Sequence, residues 1–206
     1  MIITRTPFRI TLGGGGTDIK SYYEKNNGFI FSVTLNKYMY ICVNRSHSDK
    51  LVRVKYSKSE TVSDIEELKH DIARECLKEY DLHENIEIAS IADIPAGSGL
   101  GSSSCYTVGL VNALRTLKRQ YASLQTIAEE SCGIEIDNLA KPMGKQDQYV
   151  STFGGFVRLD ISKSGRVAVE KVQIDKERVN NLNNNLLIFY TGKSRENKQI
   201  LKSQDD

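Results

Sequence analysis

Apolar residues alternate with polar ones along Phe8, Arg9, Ile10, Thr11 and Leu12, the period of a strand, and the alternation stops at the run Gly13 to Gly16. Arg9 is therefore expected on the face opposite Phe8 and Ile10. Residues 29–35, 38–44 and 51–56 are rich in β-branched and aromatic side chains and are separated by short polar breaks, which predicts successive strands in a mainly antiparallel sheet. Ser63-Asp64-Ile65-Glu66 has the form of a capping box, and Ile65, Leu68, Ile72 and Cys76 follow at steps of three and four, so an amphipathic helix is expected there. Ile86, Ile88 and Ser90 alternate as a strand that runs into a glycine-rich stretch. Cys105, Val108, Val111 and Leu114 then mark a helix directly behind it. A further helix is predicted from Ala122 to Glu135, ended before Lys141-Pro142, with strands at 156–160, 167–174 and 185–190 and a polar turn over Asn180–Asn185. From Lys193 to Leu201 the spacing is that of a helix just starting, and the sequence stops five residues later.

The stretch between the predicted strand and helix reads IPAGSGLGSSS, from Ile94 to Ser104. Gly97, Gly99 and Gly101 lack a Cβ, so their backbone can take positive φ and bring N–H groups close to an anion. The first turn of the helix adds unpaired N–H donors and the positive end of its dipole. Ser102, Ser103 and Ser104 supply hydroxyls that can bind phosphate or the magnesium that accompanies a nucleotide. A plain turn before a helix would also use glycines, but the triplet spacing, Pro95 ahead of it and the three serines behind it favour phosphate. It is not a Walker A loop, because Ile91 to Ser103 holds no lysine.

Composition narrows the partners. The formal charge of +2 is too mild for nucleic-acid binding through bulk electrostatics, and 39% hydrophobic residues suffices for an ordinary core. No apolar stretch approaches the roughly 20 residues that span a bilayer, and no secretion signal opens the chain, which makes cytoplasmic the default expectation. Cys42, Cys76, Cys105 and Cys132 have no metal or redox spacing and read as reduced core residues. His47, His70 and His83 are expected at the surface.

Two further constellations carry chemistry. Arg9 and Asp18 flank ITLGGGGT, where a strand presents a guanidinium and a glycine turn lets a small polar ligand approach the backbone. Four consecutive glycines weaken an ordered segment by roughly 0.5–1 kcal/mol each unless close approach compensates. Later, Gly144-Lys145-Gln146-Asp147-Gln148-Tyr149 follows Pro142 and precedes Gly154-Gly155. Asp147 is the candidate base, against the alternative of a solvated cap at a helix start, and Glu135, twelve residues earlier, could reach the same place.

Together these segments resemble the small-molecule kinase superfamily of galactokinase, homoserine kinase, mevalonate kinase and phosphomevalonate kinase, over nearly the whole chain. The family's P-x-G-x-G-L-G-S-S loop is present as Pro95 to Ser103, and its arginine strand and Thr-Asp turn as Arg9 and Gly14 to Asp18. The glycine run, G-K-Q-D-Q-Y, Phe153 to Phe156 and Tyr190 to Gly192 resemble the branch of heptose phosphate kinases.

The resemblance implies an α+β fold, a mixed sheet with helices like that of a ribosomal-protein domain, over 1–160. Residues 161–206 would then be linker strands and the start of a C-terminal ferredoxin-like domain that is largely absent, so the sequence reads as a kinase fragment. It implies ATP and Mg2+ as cofactors, with Pro95, Gly97, Ser98, Gly99, Leu100, Gly101, Ser102 and Ser103 cradling the phosphates. Asp147 would accept the substrate proton with Arg9 beside it, Ser103 and Glu135 would hold the metal, and Gly15, Gly16, Thr17 and Asp18 would face the sugar. A substrate phosphate would need a cation, for which Lys145, Lys193 and Arg195 are the candidates. The implied partners are ATP and a sugar or sugar phosphate, with neither nucleic acid nor membrane. The remaining readings are a kinase of an unphosphorylated sugar, a non-catalytic nucleotide- or sugar-binding module, and an RNA-binding domain.

Overall fold

A computed structural model of the chain describes residues 1–189. Its frame is a seven-stranded sheet built on one long strand. β1 (Ile2–Gly13) runs antiparallel along one edge of β2 (Gly28–Arg45), from Ile2 opposite Val43 to Gly13 opposite Phe31. The other edge of β2 is divided. Its first part pairs with β6 (Phe156–Ile161) and its second part with β5 (Ile86–Ala92). β3 (Val52–Lys55) and β4 (Ser59–Val62) extend the sheet beyond β5, and β7 (Val167–Lys171) closes the other end. All pairings are antiparallel except β3 with β5.

The two strands expected at 29–35 and 38–44 are thus one strand. The reason lies in which positions are buried: Ile30 and Ser32 in the first part, Met39, Ile41 and Val43 in the second. The buried set switches from even to odd numbers, and a strand whose side chains alternate strictly cannot do that without an irregularity. The register of β1 on β2 shifts between Pro7 and Arg9, within the stretch where the buried set changes, and β2 contributes to two separate cores.

Helices α2 (Asp71–Glu79), α3 (Ser102–Leu117), α4 (Leu124–Cys132) and α5 (Gln146–Phe153) cover the sheet. α3 lies across β1 and β2 because Gly109 permits it. A Cβ there would meet Ile41 Cγ1 at 2.9 Å and Thr6 Oγ1 at 3.0 Å, and Thr4 Oγ1 donates to Gly109 O at 2.8 Å. The short helix α1 (Lys20–Asn26) and the exposed helix α6 (Lys176–Asn184) complete the described elements.

Several local expectations change. The Ser63 capping box does not open the long helix: Asp64 caps a single 3-10 turn at Ile65–Glu67, and α2 starts separately with His70 as its N-cap, accepting from Ala73 N at 3.2 Å. The Glu60 carboxylate causes the interruption by accepting the Lys69 and His70 N–H groups. His70 is accordingly not a surface residue but lies between the rings of Tyr56 and Tyr106, with burial lowering its pKa. The helix expected over 122–135 is α4 continued by a π-helical turn, Gly133–Asn138, that ends ahead of Pro142. At the end of the described chain, Asp175 caps α6 where a polar turn was expected, and residues 185–189 form no strand. The cysteines are free, three of them buried. No helix among the described residues is long and apolar enough to cross a membrane. Tyr190 to Gly192, the helix start at Lys193, and Arg195 lie outside the described residues.

Candidate active site

The loop between β5 and α3 has the geometry that its glycines allow. Gly97, Gly99 and Gly101 take φ of 76°, 78° and 82°, while Ser98 and Leu100 between them stay on the negative side. Backbone that alternates in this sense turns successive N–H groups toward one concavity and forms an anion nest. Gly101 is also the N-cap of α3, so the nest opens on the unpaired N–H groups of that helix.

β1 holds the loop in place. Arg9 N donates to Leu100 O at 3.3 Å, and Arg9 Nη1 donates to Gly99 O at 3.1 Å. The rest of the guanidinium faces Asp147, with Nε and Nη2 each 2.6 Å from Oδ1. Both contacts fall on one oxygen. Oδ2 lies instead toward the helix cap, 3.3 Å from where a Cβ on Gly101 would sit. Burial pushes the Asp147 carboxyl up, against the charge and hydrogen bonds of Arg9.

The first turn of α5 joins the site together. Its three leading residues each meet a segment that is remote in sequence. Gln146 N donates to Asp18 Oδ2 at 2.9 Å, and Gln146 Oε1 accepts from Thr11 Oγ1 at 2.6 Å. Asp147 meets Arg9 and the loop. Gln148 Nε2 donates to Glu135 Oε2 at 2.8 Å. Gly144, just ahead, is required because Asp18 fills its side-chain space: a Cβ would lie 2.0 Å from Asp18 Oδ2. Asp18 is buried, and desolvation raises its pKa, partly offset by the Gln146 N–H.

Ser103 and Glu135, paired on the family's pattern, are in contact, with Ser103 Oγ donating to Glu135 Oε1 at 2.5 Å. Lys141, which sequence reasoning passed over, joins them: its Nζ is 3.1 Å from Ser103 Oγ and 3.3 Å from Glu135 Oε1. The proximity of Lys141-Pro142 to the helix end hid this role, since the dipeptide reads as a stop signal. Gln146 and Gln148 were within the quoted motif but carry no charge to draw notice.

The other sequence-assigned residues divide. Ser98 Oγ is buried with no hydrogen-bond partner among the described residues, on the loop itself. Pro95 is exposed, and Leu100 packs partly against the larger core. A Cβ on Gly16 would meet nothing within 4 Å, and one on Gly15 would touch Thr11 Cγ2 at 3.7 Å. The Thr17 hydroxyl is engaged on the protein, within 2.8 Å of Gly14 O and 2.7 Å of Phe29 O, and it accepts from Phe29 N at 2.9 Å. Lys145 turns to the hairpin between β6 and β7, where Nζ donates to Gly165 O at 2.6 Å and lies over the Tyr23 ring.

Residues 67–155 match the family described as "GHMP kinases N terminal domain". The chain is 29% identical, over 97% of its length, to D-glycero-alpha-D-manno-heptose 7-phosphate kinase of Campylobacter jejuni. It is 30% identical over 167 residues to galactokinase of Chloroflexus aggregans, covering 69% of this chain and 41% of that one. Among solved structures, a D-glycero-D-manno-heptose 1-phosphate kinase from Bacteroides thetaiotaomicron superposes with a TM-score of 0.80 at 25% identity, covering 87% of this chain and 62% of that one. A galactokinase from Lactococcus lactis complexed with galactose shares the fold at a TM-score of 0.64. The chain spans 62% of the length of the Campylobacter relative. The loop, the helix cap and the Asp147 turn all lie inside residues 67–155, the segment over which this chain is similar to the GHMP kinase N-terminal domain.

Proposed function

We propose that the protein transfers the γ-phosphoryl group of ATP to a sugar hydroxyl, and that the acceptor is the anomeric hydroxyl of a heptose 7-phosphate, giving a 1,7-bisphosphate. The observation that carries the reading is the contact of Arg9 and Asp147 with the N-cap of a helix fronted by an anion nest. Phosphoryl transfer is mostly positioning and charge stabilisation, so this is the apparatus it needs. The nest at Gly97 to Ser102 holds the polyphosphate. The acceptor hydroxyl gives its proton to Asp147 Oδ2 as its oxygen bonds to phosphorus and the bond to the ADP oxygen breaks. Arg9 keeps Asp147 oriented through Oδ1 and offsets charge on the moving group. Asp18, with the open backbone of Gly16 and the neighbouring Gly15, faces the sugar.

The residues present fit magnesium. Ser103 and Glu135 offer a hydroxyl and a carboxylate, the hard oxygen donors it takes. Gln148 must aim Nε2 at the Glu135 carboxylate, which only accepts, so its buried Oε1 is left without a partner among the described residues. A water of a hydrated cation would satisfy that acceptor. When bound, the metal supplies charge neutralisation at the phosphates.

The names of the relatives support the substrate class. Two of them specify a heptose phosphate, and they differ in where the phosphate stands. The galactokinase relative favours a second reading, an unphosphorylated sugar. ADP release by the full gene product, measured with ATP, magnesium and a panel of heptose 7-phosphate, galactose and mevalonate, tests the proposal. Highest kcat/KM is expected on the heptose 7-phosphate. Preference for galactose would replace the substrate, and no turnover on any of the three would overturn the reading.

A further inference from the structure

Glu135 is fully buried, and both of its oxygens are occupied: Oε2 by Gln148, Oε1 by Ser103 and by the ammonium of Lys141. A buried carboxylate without a counter-charge is strongly disfavoured, so some cation belongs there. Lys141 fills that need from a position within 3.3 Å of both oxygens that the proposed function gives to a metal. A divalent cation bound by the same two oxygens would face the ammonium at close range, where like charges repel strongly in a poorly screened setting. The two occupants exclude each other. Lys141 has somewhere to go, because its side chain is 23% exposed while its partner is at 0%.

We propose that Lys141 is a displaceable counter-ion: its ammonium neutralises Glu135 while the metal is absent, and the divalent cation that arrives with the nucleotide takes its place. The proposal rests on the Ser103 and Glu135 metal assignment above. It explains why a lysine with no place in the phosphate loop points at the pair. It also gives the site a reason to bind free metal weakly, since metal alone must eject an ion pair, whereas metal with a polyphosphate brings new acceptors for the released ammonium.

The test uses Mn2+ alone, counted by the paramagnetic resonance signal of the free ion at pH 8. Lys141→Met should bind Mn2+ at least tenfold more tightly than the unaltered protein, with Lys141→Gln in the same direction. Glu135→Gln should lose the binding. In the unaltered protein, saturating Mn2+ should also increase acetic anhydride labelling of the Lys141 amine, read by peptide mass, which needs no variant to fold. Unchanged or weaker Mn2+ binding by folded Lys141→Met, or labelling that Mn2+ does not raise, would overturn the displacement while leaving the metal assignment standing if Glu135→Gln is defective. Mn2+ binding by Glu135→Gln equal to the unaltered protein would remove the metal assignment and this proposal with it.

Discussion

Two glycine-rich segments flank the candidate site, and they use glycine for different ends. In Gly13 to Gly16 the demand is internal at Gly14, where a Cβ would lie 1.8 Å from the Phe29 carbonyl oxygen, so the chain folds onto its own strand β2. In Gly97 to Gly101 every second residue takes positive φ, and Ser98 Oγ has no hydrogen-bond partner among the described residues. The first segment packs on β2 as a wall beside Asp18, and the second has the backbone that the proposed anion receptor needs. Glycine content alone does not distinguish a ligand loop from a packing requirement. What sets Gly14 apart is a close contact with β2, and what sets Gly97, Gly99 and Gly101 apart is positive φ at every second residue up to a helix cap.

Changes that break or sharpen this contrast can be ranked. Arg9→Met should have the largest effect, because Arg9 ties the receptor loop to Asp147 and its loss leaves a buried carboxylate unpaired, about 3–5 kcal/mol for a pair of this kind. In protein that still folds, the acid limb of kcat/KM should also move to higher pH. In the proposed mechanism the working form of Asp147 is the carboxylate, so activity should fall as pH drops through its pKa, and removing a positive neighbour should raise that pKa further above its usual range. A pH-rate profile with an unmoved limb would separate Arg9 from Asp147.

Gly14→Ala should destabilise by about 2–3 kcal/mol in chemical denaturation, as overpacking does, with ATP affinity in the folded fraction unchanged. Gly144→Ala should displace Asp18 and raise the sugar KM by about 10–100-fold, the equivalent of roughly 1–3 kcal/mol, with the ATP KM within about twofold. Equal increases in both constants would mean that the wall and the receptor are not separable. Gly99→Ala should be the mildest, about 1–2 kcal/mol for a left-handed non-glycine residue, and its kinetic effect should fall on the ATP KM.

The receptor loop was legible because the proposed role depends on backbone that glycine adopts most readily, at a fixed spacing ahead of a helix. Arg9, Asp18, Glu135 and Asp147 could be named because Arg9 stands in a strand's alternation, Asp18 and Asp147 in glycine-containing motifs, and Glu135 on a predicted helix twelve residues before Asp147. The joint that brings them together was not legible as a joint. Gln146 and Gln148 act through an N–H and amide groups, and their partners lie more than ten residues away in sequence. Lys141 was masked by the proline beside it. In the fold, β2 misled because its buried positions change from even to odd within one strand, the pattern that a break between two strands would also give. The capping box misled because Glu60, from the strand before it, competes for the N–H groups of Lys69 and His70 and restarts the helix there.

The account depends on Asp147 serving the acceptor hydroxyl and not the nucleotide. Parallel measurement of ADP formation and ATP binding for Asp147→Asn and the unaltered gene product tests this directly. Turnover should fall by about 10²–10⁴-fold, the usual worth of general-base help, while the ATP dissociation constant stays within about twofold. Turnover close to that of the unaltered protein, or ATP binding lost in step with it, would contradict the account.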